Sequence, residues 1–227
     1  MCAHHTGMDE DTILFTPTAE RLATTNGWAF LHWLRTVQGI DLADWSALLE
    51  WVAEQPGLAR RAVRAFAGQD ASVQESTIPH LAELLLFMDL RPDDQLLVAD
   101  AQTWPWQAVA LTGARMVRTT GPAAGILEAA ARQEITVLAV PAQWLDTGSF
   151  QRRQRLNLRR LRTILTLGGP LSAEAAGRIY AWVKPDVVLL GRAGDRVWGD
   201  PLGPVRAKTA FAPALSSLLK RAAPMQG

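Results

Sequence analysis

Residues 89–121, DLRPDDQLLVADAQTWPWQAVALTGARMVRTTG, decide how this chain is read. Leu96, Leu97 and Val98 form a short apolar run between the turn signal Arg91-Pro92-Asp93-Asp94 and Asp100, which predicts a strand over 95–99. Trp104-Pro105-Trp106 follows, then a small-residue helix ending at Gly113 and a second strand over 115–119. A strand, a helix and a strand joined this tightly predict a parallel pair with a right-handed crossover. Open parallel sheets collect ligands at the carboxyl ends of their strands, and Gln102, Thr103, Trp104 and Trp106 fall just past such an end.

The alternation continues outward on both sides. A helix is expected over 78–88 before this unit. After it come helix 122–133, strand 135–140, helix 141–147, strand 162–167, helix 172–183 and strand 186–190. Runs such as ITVLAV and DVVLL are apolar on both faces, as strands covered by helices on both sides are. The pattern predicts an α/β fold: an N-terminal helical segment followed by a parallel, doubly wound sheet of five strands flanked by helices.

Residues 22–68 read as helical. Asn26 is the expected cap of a helix carrying Trp28, Phe30, Leu31, Trp33, Leu34 and Val37, and Gly39 ends it. Asp44 caps the next helix, and Pro56-Gly57 opens a third that places Arg60, Arg61 and Arg64 on one solvated side. The polar joint GQDASVQES over 68–76 marks a change of composition. The expected organisation is a flexible N-terminus over 1–20, a helical segment over 21–76, an α/β subdomain over 77–210, and a C-terminal helix and tail over 211–227. The Gly- and Pro-rich stretch after 190 reads as loop, and one last helix is expected within 211–221.

The bulk figures exclude more than they select. A net charge of +1 over 227 residues gives no mandate for nucleic acid. The arginine-rich stretch that follows Phe150, over 151–162, has Leu156, Leu158 and Leu161 between its basic residues and no aromatics among them for base stacking, so it reads as a surface loop. A single cysteine, Cys2, fits a reducing compartment. Nothing resembles a signal peptide or a membrane span, so a cytoplasmic protein is expected. Cys2, His4 and His5 lie at a polar terminus and are read as carrying no metal. The nine tryptophans suggest apolar pockets or a partner surface as well as core.

Catalytic signatures are sparse. The chain has no GxSxG elbow, no GxxxxGK[ST] loop and no GxGxxG after a strand. His32 and His80 have no acids or cysteines at ligand spacing in this reading. The strongest local signal is Gly168-Gly169-Pro170-Leu171 before Ser172, where a strand ends and Ser172 caps a helix. Such a turn suits a nucleotide ring or phosphate, and is also simply a turn. Trp104 and Trp106 either wall an acyl pocket or cap the core at the sheet edge. Asp195 and Asp100 are the remaining acid candidates.

Three blocks together resemble a known family. Asn26 with Phe30, Trp33 and Leu34, followed by Asp44, Trp45, Leu48 and Trp51, form the first. Residues 80–122 form the second and residues 135–190 the third. Their order is similar to that of acetoacetyl-CoA synthetases, within the adenylate-forming (AMP-binding) superfamily. The resemblance implies that Gly168, Gly169, Pro170 and Leu171 pack on an adenine, and that Trp104 lies near an acyl pocket. It also implies departures. Where the family has a Ser/Thr/Gly-rich phosphate loop ending in Pro-Lys, this sequence has GQDASVQES. Where the family has Gly-Gly-Thr before an acid, this sequence has Gly191-Arg192-Ala193-Gly194-Asp195. The sequence also stops before the family's ribose-binding aspartate and its C-terminal domain with the adenylating lysine.

The resulting expectation is a degenerate relative that does not adenylate. It would act as an acyl- or nucleotide-binding module, with AMP, ATP or CoA as possible ligands and no metal, or as an interaction module with a protein partner or a second copy. The alternatives are altered acyl-CoA chemistry with Asp195 or Asp100 as acid or base, and ligation completed by a partner.

Overall fold

The computed structural model describes residues 12–99, 105–119, 125–147, 156–207 and 211–221. Cys2, His4, His5, Asp100 and Trp104 therefore lie outside the described residues, as do part of the arginine-rich loop and the tail after 221.

The chain opens with strand β1 (Ile13–Phe15) and helices α1 (Ala19–Ala23), α2 (Asn26–Trp33), α3 (Trp45–Glu54), α4 (Pro56–Phe66) and α5 (Ile78–Ala82). The alternating part runs β2 (Gln95–Ala99), α6 (Trp106–Thr112), β3 (Arg115–Thr119), α7 (Ile126–Arg132), β4 (Val137–Pro141), α8 (Ala142–Asp146), β5 (Thr163–Leu167), α9 (Ala173–Arg178) and β6 (Val188–Ala193). It closes with β7 (Arg196–Trp198), β8 (Val205–Arg206), β9 (Phe211–Pro213) and α10 (Leu215–Lys220). Helices α2, α5 and α9 each widen into a π-turn, over Leu34–Gln38, Glu83–Phe87 and Ile179–Val183.

The main sheet has seven strands in the order β3-β2-β4-β5-β6-β7-β9. Its first five are parallel, as the alternation predicts, and β7 and β9 add antiparallel to the β6 edge. The chain leaves β2 in one direction for β3 and then returns across it to β4. The crevice of a doubly wound sheet lies at such a reversal.

Both faces of the sheet are covered, and the side chains show it by strict alternation. Leu96, Val98, Val137, Ala139, Leu165 and Leu190 join a core built with α2 to α6 and α10. Leu97, Ala99, Leu138, Val140, Ile164 and Leu189 join a second core with α7, α9 and Val205 on the opposite face. The N-terminal helices thus share one apolar cluster with the sheet across the polar joint. Within that cluster Phe30, Trp33 and Phe66 interlock their rings at 5.1–6.0 Å between centroids.

Several local expectations are corrected. The stretch after 190 is loop only over 199–204; residues up to 198 are mostly strand. Gly191 pairs with Trp198 and Ala193 with Arg196, closing a two-residue hairpin turn whose first residue, Gly194, has φ +60°. The sheet therefore has seven strands rather than five. Residues 211–213 form strand β9, and only 215–220 are α-helical. Residues 13–15, expected to be flexible, pair antiparallel with β8.

The cap of α2 is Thr25, whose hydroxyl accepts from the Trp28 amide at 3.2 Å. Asn26 instead ties the helix to the turn before β2: its amide donates to Asp89 Oδ1 (2.7 Å) and its Nδ2 to the Leu90 carbonyl (2.9 Å). Arg60 and Arg64 are half-buried rather than solvated. Arg60 donates to the Leu219 carbonyl at the end of α10 (2.6 Å), and Arg64 pairs with Glu75 (2.8 Å).

Arg162, expected in a surface loop, is the hub of a buried network at the amino ends of the strands. It donates to Asp89 Oδ2 (3.0 Å), to the Asp89 carbonyl (2.6 Å) and to Asp94 Oδ2. Arg91 holds the same two acids through its backbone amide and its guanidinium. The network fixes Asp89 at φ +53°, a conformation that costs a non-glycine residue strain and persists only where its surroundings over-determine it.

Candidate functional site: a cleft at the carboxyl edge of the sheet

The parallel strands β2, β4, β5 and β6 end on one side of the molecule, around a cleft of about 740 Å³. Its wall includes residues at or beyond the strand ends: Pro105 beyond β2; Pro141, Ala142 and Gln143 at the end of β4; Leu167, Gly168, Gly169 and Pro170 at the end of β5; and Arg192 and Gly194 at the end of β6. Helix α5 and its π-turn close it with His80, Glu83, Leu84 and Met88. The volume and the mixed apolar and polar lining suit a small organic ligand.

The glycine turn is held from behind. The Gly168 amide donates to the Arg192 carbonyl at 2.9 Å, so the turn continues the β5–β6 ladder by one bond. Gly168 has φ +85°, the left-handed region that glycine enters without strain. Neither Gly168 nor Gly169 would bring an added Cβ within 4 Å of another atom, so the backbone forms a bare shelf facing open space. Beyond it Ser172 caps α9, accepting from the Ala175 amide at 3.1 Å, as its position in the sequence predicts. Asp146 Oδ1 accepts from both the amide (3.1 Å) and the hydroxyl (2.9 Å) of Ser172, which locks the cap to the end of α8.

On the opposite wall, among the described lining residues, Glu83 is a deeply buried acid, with 4% of its side chain exposed. Arg192 donates to its Oε1 at 2.9 Å, and the Ser216 amide in the first turn of α10 donates to its Oε2 at 3.2 Å. Arg192 is held further by its Nε, which donates to the Gly194 carbonyl at 3.2 Å. A carboxylate in this setting is charge-assisted on both oxygens. His80 stands three residues before Glu83, and its Nδ1 is buried without a hydrogen-bond partner. Burial pushes the His80 pKa down, and the Lys220 and Arg192 charges push it further, against an opposing pull from Glu83. The imidazole is neutral near pH 7.

The candidate residues from the sequence fall in different places. Gly168, Gly169 and Pro170 line the cleft, while Leu171 packs against the second core. Trp106 opens α6 with its backbone, and its side chain lies outside the described residues, as Trp104 and Asp100 do entirely. Asp195 sits exposed at the tip of the β6–β7 hairpin, where its carbonyl accepts from the Ala214 amide at 2.7 Å. The joint over 68–76 lies away from the cleft and closes on itself, with Asp70 accepting from the Ser72 amide at 2.8 Å.

Glu83, His80 and Arg192 were not legible as a group. Their one signal was a lone acid in the otherwise apolar run Leu81-Ala82-Glu83-Leu84-Leu85-Leu86-Phe87. Among the described residues, no three His, Cys, Asp or Glu side chains gather as a metal site, and no helix is long and apolar enough to cross a membrane.

No protein-family model matches the chain. Curated relatives do. The acetoacetyl-CoA synthetase of Macaca fascicularis is 32% identical over 124 residues, which is 49% of this chain and 18% of that protein. The acetoacetyl-coenzyme A synthetase of Rhizobium meliloti (strain 1021) is 30% identical over 146 residues, 56% of this chain and 22% of that protein. Among solved structures, the acetoacetyl-CoA synthetase from Streptomyces lividans superposes with a TM-score of 0.49 at 21% identity, covering 62% of this chain and 25% of that one. The chain spans about one fifth of the length of the curated relatives it matches. At 30–32% identity through about half of its length, the chain is similar to acetoacetyl-CoA synthetases.

Proposed function

We propose that this chain binds an acyl- or adenosine-bearing ligand, of the acyl-CoA, acyl-adenylate or nucleotide kind, in the cleft at the carboxyl edge of its sheet, and that it does not itself adenylate. The observation that carries the reading is the bare backbone shelf of Gly168 and Gly169, walling a cleft of about 740 Å³ at the sheet's switch point. A flat peptide surface of this kind accepts the face of a planar ring, and the glycines keep it clear.

Two features support the absence of adenylation. Phosphoryl chemistry depends almost wholly on positioned positive charge. The arginine among the described lining residues, Arg192, is already paired with Glu83. The joint over 68–76 supplies no lysine and does not reach the cleft.

The test is calorimetry with adenosine, AMP, ATP and acetoacetyl-CoA on the wild type and on Gly169→Leu. Gly169 has an ordinary backbone conformation and open space at its Cβ, so the substitution fills the cleft without straining the fold. Saturable binding of at least one of the four that disappears in the variant, at unchanged melting temperature, is expected. Silence toward all four, or binding indifferent to Gly169→Leu, would remove this reading. A ligase assay showing AMP formation would remove its second half.

A second reading, as a module that contacts a protein partner or another copy of itself, draws on Trp28 and Trp182, which are 46% and 44% exposed. Concentration-dependent sedimentation that Trp28→Ser or Trp182→Ser abolishes would favour it, and a concentration-independent monomer would argue against self-association.

A further inference from the structure

The other end of the sheet carries a second, smaller cavity of about 100 Å³. It lies at the amino ends of the strands, beside Thr163, which opens β5, and Val188, which opens β6. Three guanidinium side chains line it, and they come from segments far apart in sequence: Arg21 from α1, Arg91 from the turn before β2, and Arg162 from the residue before β5. Asp89 is the one carboxylate among its described lining residues.

That carboxylate is already engaged at both oxygens. Its Oδ1 accepts from the Asn26 amide at 2.7 Å, and its Oδ2 from Arg91 Nη2 at 2.6 Å and Arg162 Nη1 at 3.0 Å. Asp94 stands behind the wall, where it accepts from Arg162 and from the Arg91 amide. Asp186 is half exposed and shared, 3.8 Å from Arg21 and 3.2 Å from Lys184. Arg21, Arg91, Arg162 and Lys184 thus stand against three acids. Glu20 and Asp93 are exposed, and no ion pair joins them to the cluster.

Donors outnumber acceptors here. Each guanidinium carries five N–H groups. Among the described residues Arg21 makes two hydrogen bonds with them, Arg91 one and Arg162 three. Arg91 Nε is buried with no partner, a costly state for a donor. Burial pushes the Arg21 pKa down; Asp186 opposes that, and the Arg162 charge adds to it, as cations standing near each other do. The first turn of α2 beside the cavity is served by Thr25 and Asp89, so the side chains and not the helix end carry the site.

We infer that this cavity binds a small oxyanion of phosphate or sulfate size, at a site separate from the cleft and independent of the ligand proposed there. The planar N–H fork of arginine matches the spacing of oxyanion oxygens. The volume has room for several waters, so a phosphate-sized group fits and an intact nucleotide does not. An anion held by the three arginines ties α1, the turn before β2 and the start of β5 together, so binding stabilises the fold.

Thermal denaturation in sodium phosphate against sodium chloride at equal ionic strength tests it, on the wild type, Arg91→Gln and Arg21→Gln. The wild-type melting temperature is expected to rise with phosphate and to saturate. Each variant loses a cation and its donors, and the apparent phosphate affinity is expected to fall by about tenfold or more. The phosphate increment is read rather than the starting melting temperature, so a less stable variant still reports. Phosphate also stabilises proteins generally by exclusion from their surface. An increment of equal size in all three proteins would show that effect alone and overturn the inference, as would chloride matching phosphate on the wild type. Amide-resolved NMR titration with inorganic phosphate places the ion: saturable shifts at Asn26, Asp89, Arg91 and Thr163 are expected, with Gly168 and Gly169 unmoved. Shifts at Gly168 and Gly169 instead, or no saturable shift at all, would overturn the inference and leave the reading of the cleft to its own test.

Discussion

Replacing Arg162 by methionine removes the hub of the network at the amino ends of the strands while keeping most of the stem volume. Three hydrogen bonds go: two to Asp89 and one to Asp94. The partners are poorly placed to recover in water, because the side chains of Asp89 and Asp94 are 12% and 4% exposed. Breaking a buried charge pair by deleting one member costs about 3–5 kcal/mol. Here each carboxylate retains Arg91, through its guanidinium for Asp89 and its amide for Asp94, and Asp89 also retains the Asn26 amide. That places the cost at the low end, about 3 kcal/mol, a large share of the ~5–15 kcal/mol by which folded domains are stable. Urea denaturation followed by circular dichroism reads it: with a slope near ~3 kcal/mol per molar, the midpoint falls by about 1 M. A double-mutant cycle with Asp94→Asn gives a coupling of about 1 kcal/mol or more if the two groups act as one unit. Arg162→Lys retains the charge, loses the fork geometry and falls between the two. A loss under about 1 kcal/mol for Arg162→Met, additive with Asp94→Asn, would show an ordinary surface pair and refute the reasoning.

The packing at Gly191 and the burial of His80 set two further outcomes. Gly191→Ala places a methyl group 1.8 Å from ring atoms of Trp198, so the indole must leave its place over β6; a loss of about 2–3 kcal/mol is expected from overpacking, largely recovered in the double variant with Trp198→Leu, as thermal denaturation would show. His80 has a folded-state pKa below its unfolded value, so the unfolded chain takes up the proton first as the pH falls. Its contribution is therefore intact above the unfolded value near ~6.5 and is lost as the pH drops from there toward the folded value, and the urea midpoint of the wild type should fall more steeply between about pH 7 and 5 than that of His80→Gln; parallel profiles would contradict it.

The parallel sheet was legible because its strands are buried on both faces, so Leu96-Leu97-Val98 and Val137-Leu138-Ala139-Val140 read as apolar runs with helices between them. The β6–β7 hairpin was not. Gly191, Gly194 and Gly199 look like loop residues in the sequence, whereas Gly191 is glycine because Trp198 lies across it and Gly194 because the two-residue turn needs a positive φ. Thr25 and Asn26 are adjacent capping residues, and only the distant acceptors at Asp89 and Leu90 decide which one caps. In the sequence Arg162 reads as one of a run of surface arginines, because composition sees charge and not its partners. The same limit hid Glu83 and Arg192, which lie on different elements and meet only once the sheet is assembled. The glycine turn could be found from its position after a strand, but not the open space above it.

Amide-resolved NMR titration with adenosine tests most directly whether a ligand lies against the Gly168–Gly169 shelf. Saturable shifts at the Gly168 and Gly169 amides and around His80, with the α2 surface bearing Trp28 unmoved, are the predicted result. Saturable binding whose shifts map elsewhere while the Gly168 and Gly169 amides stay still would contradict it.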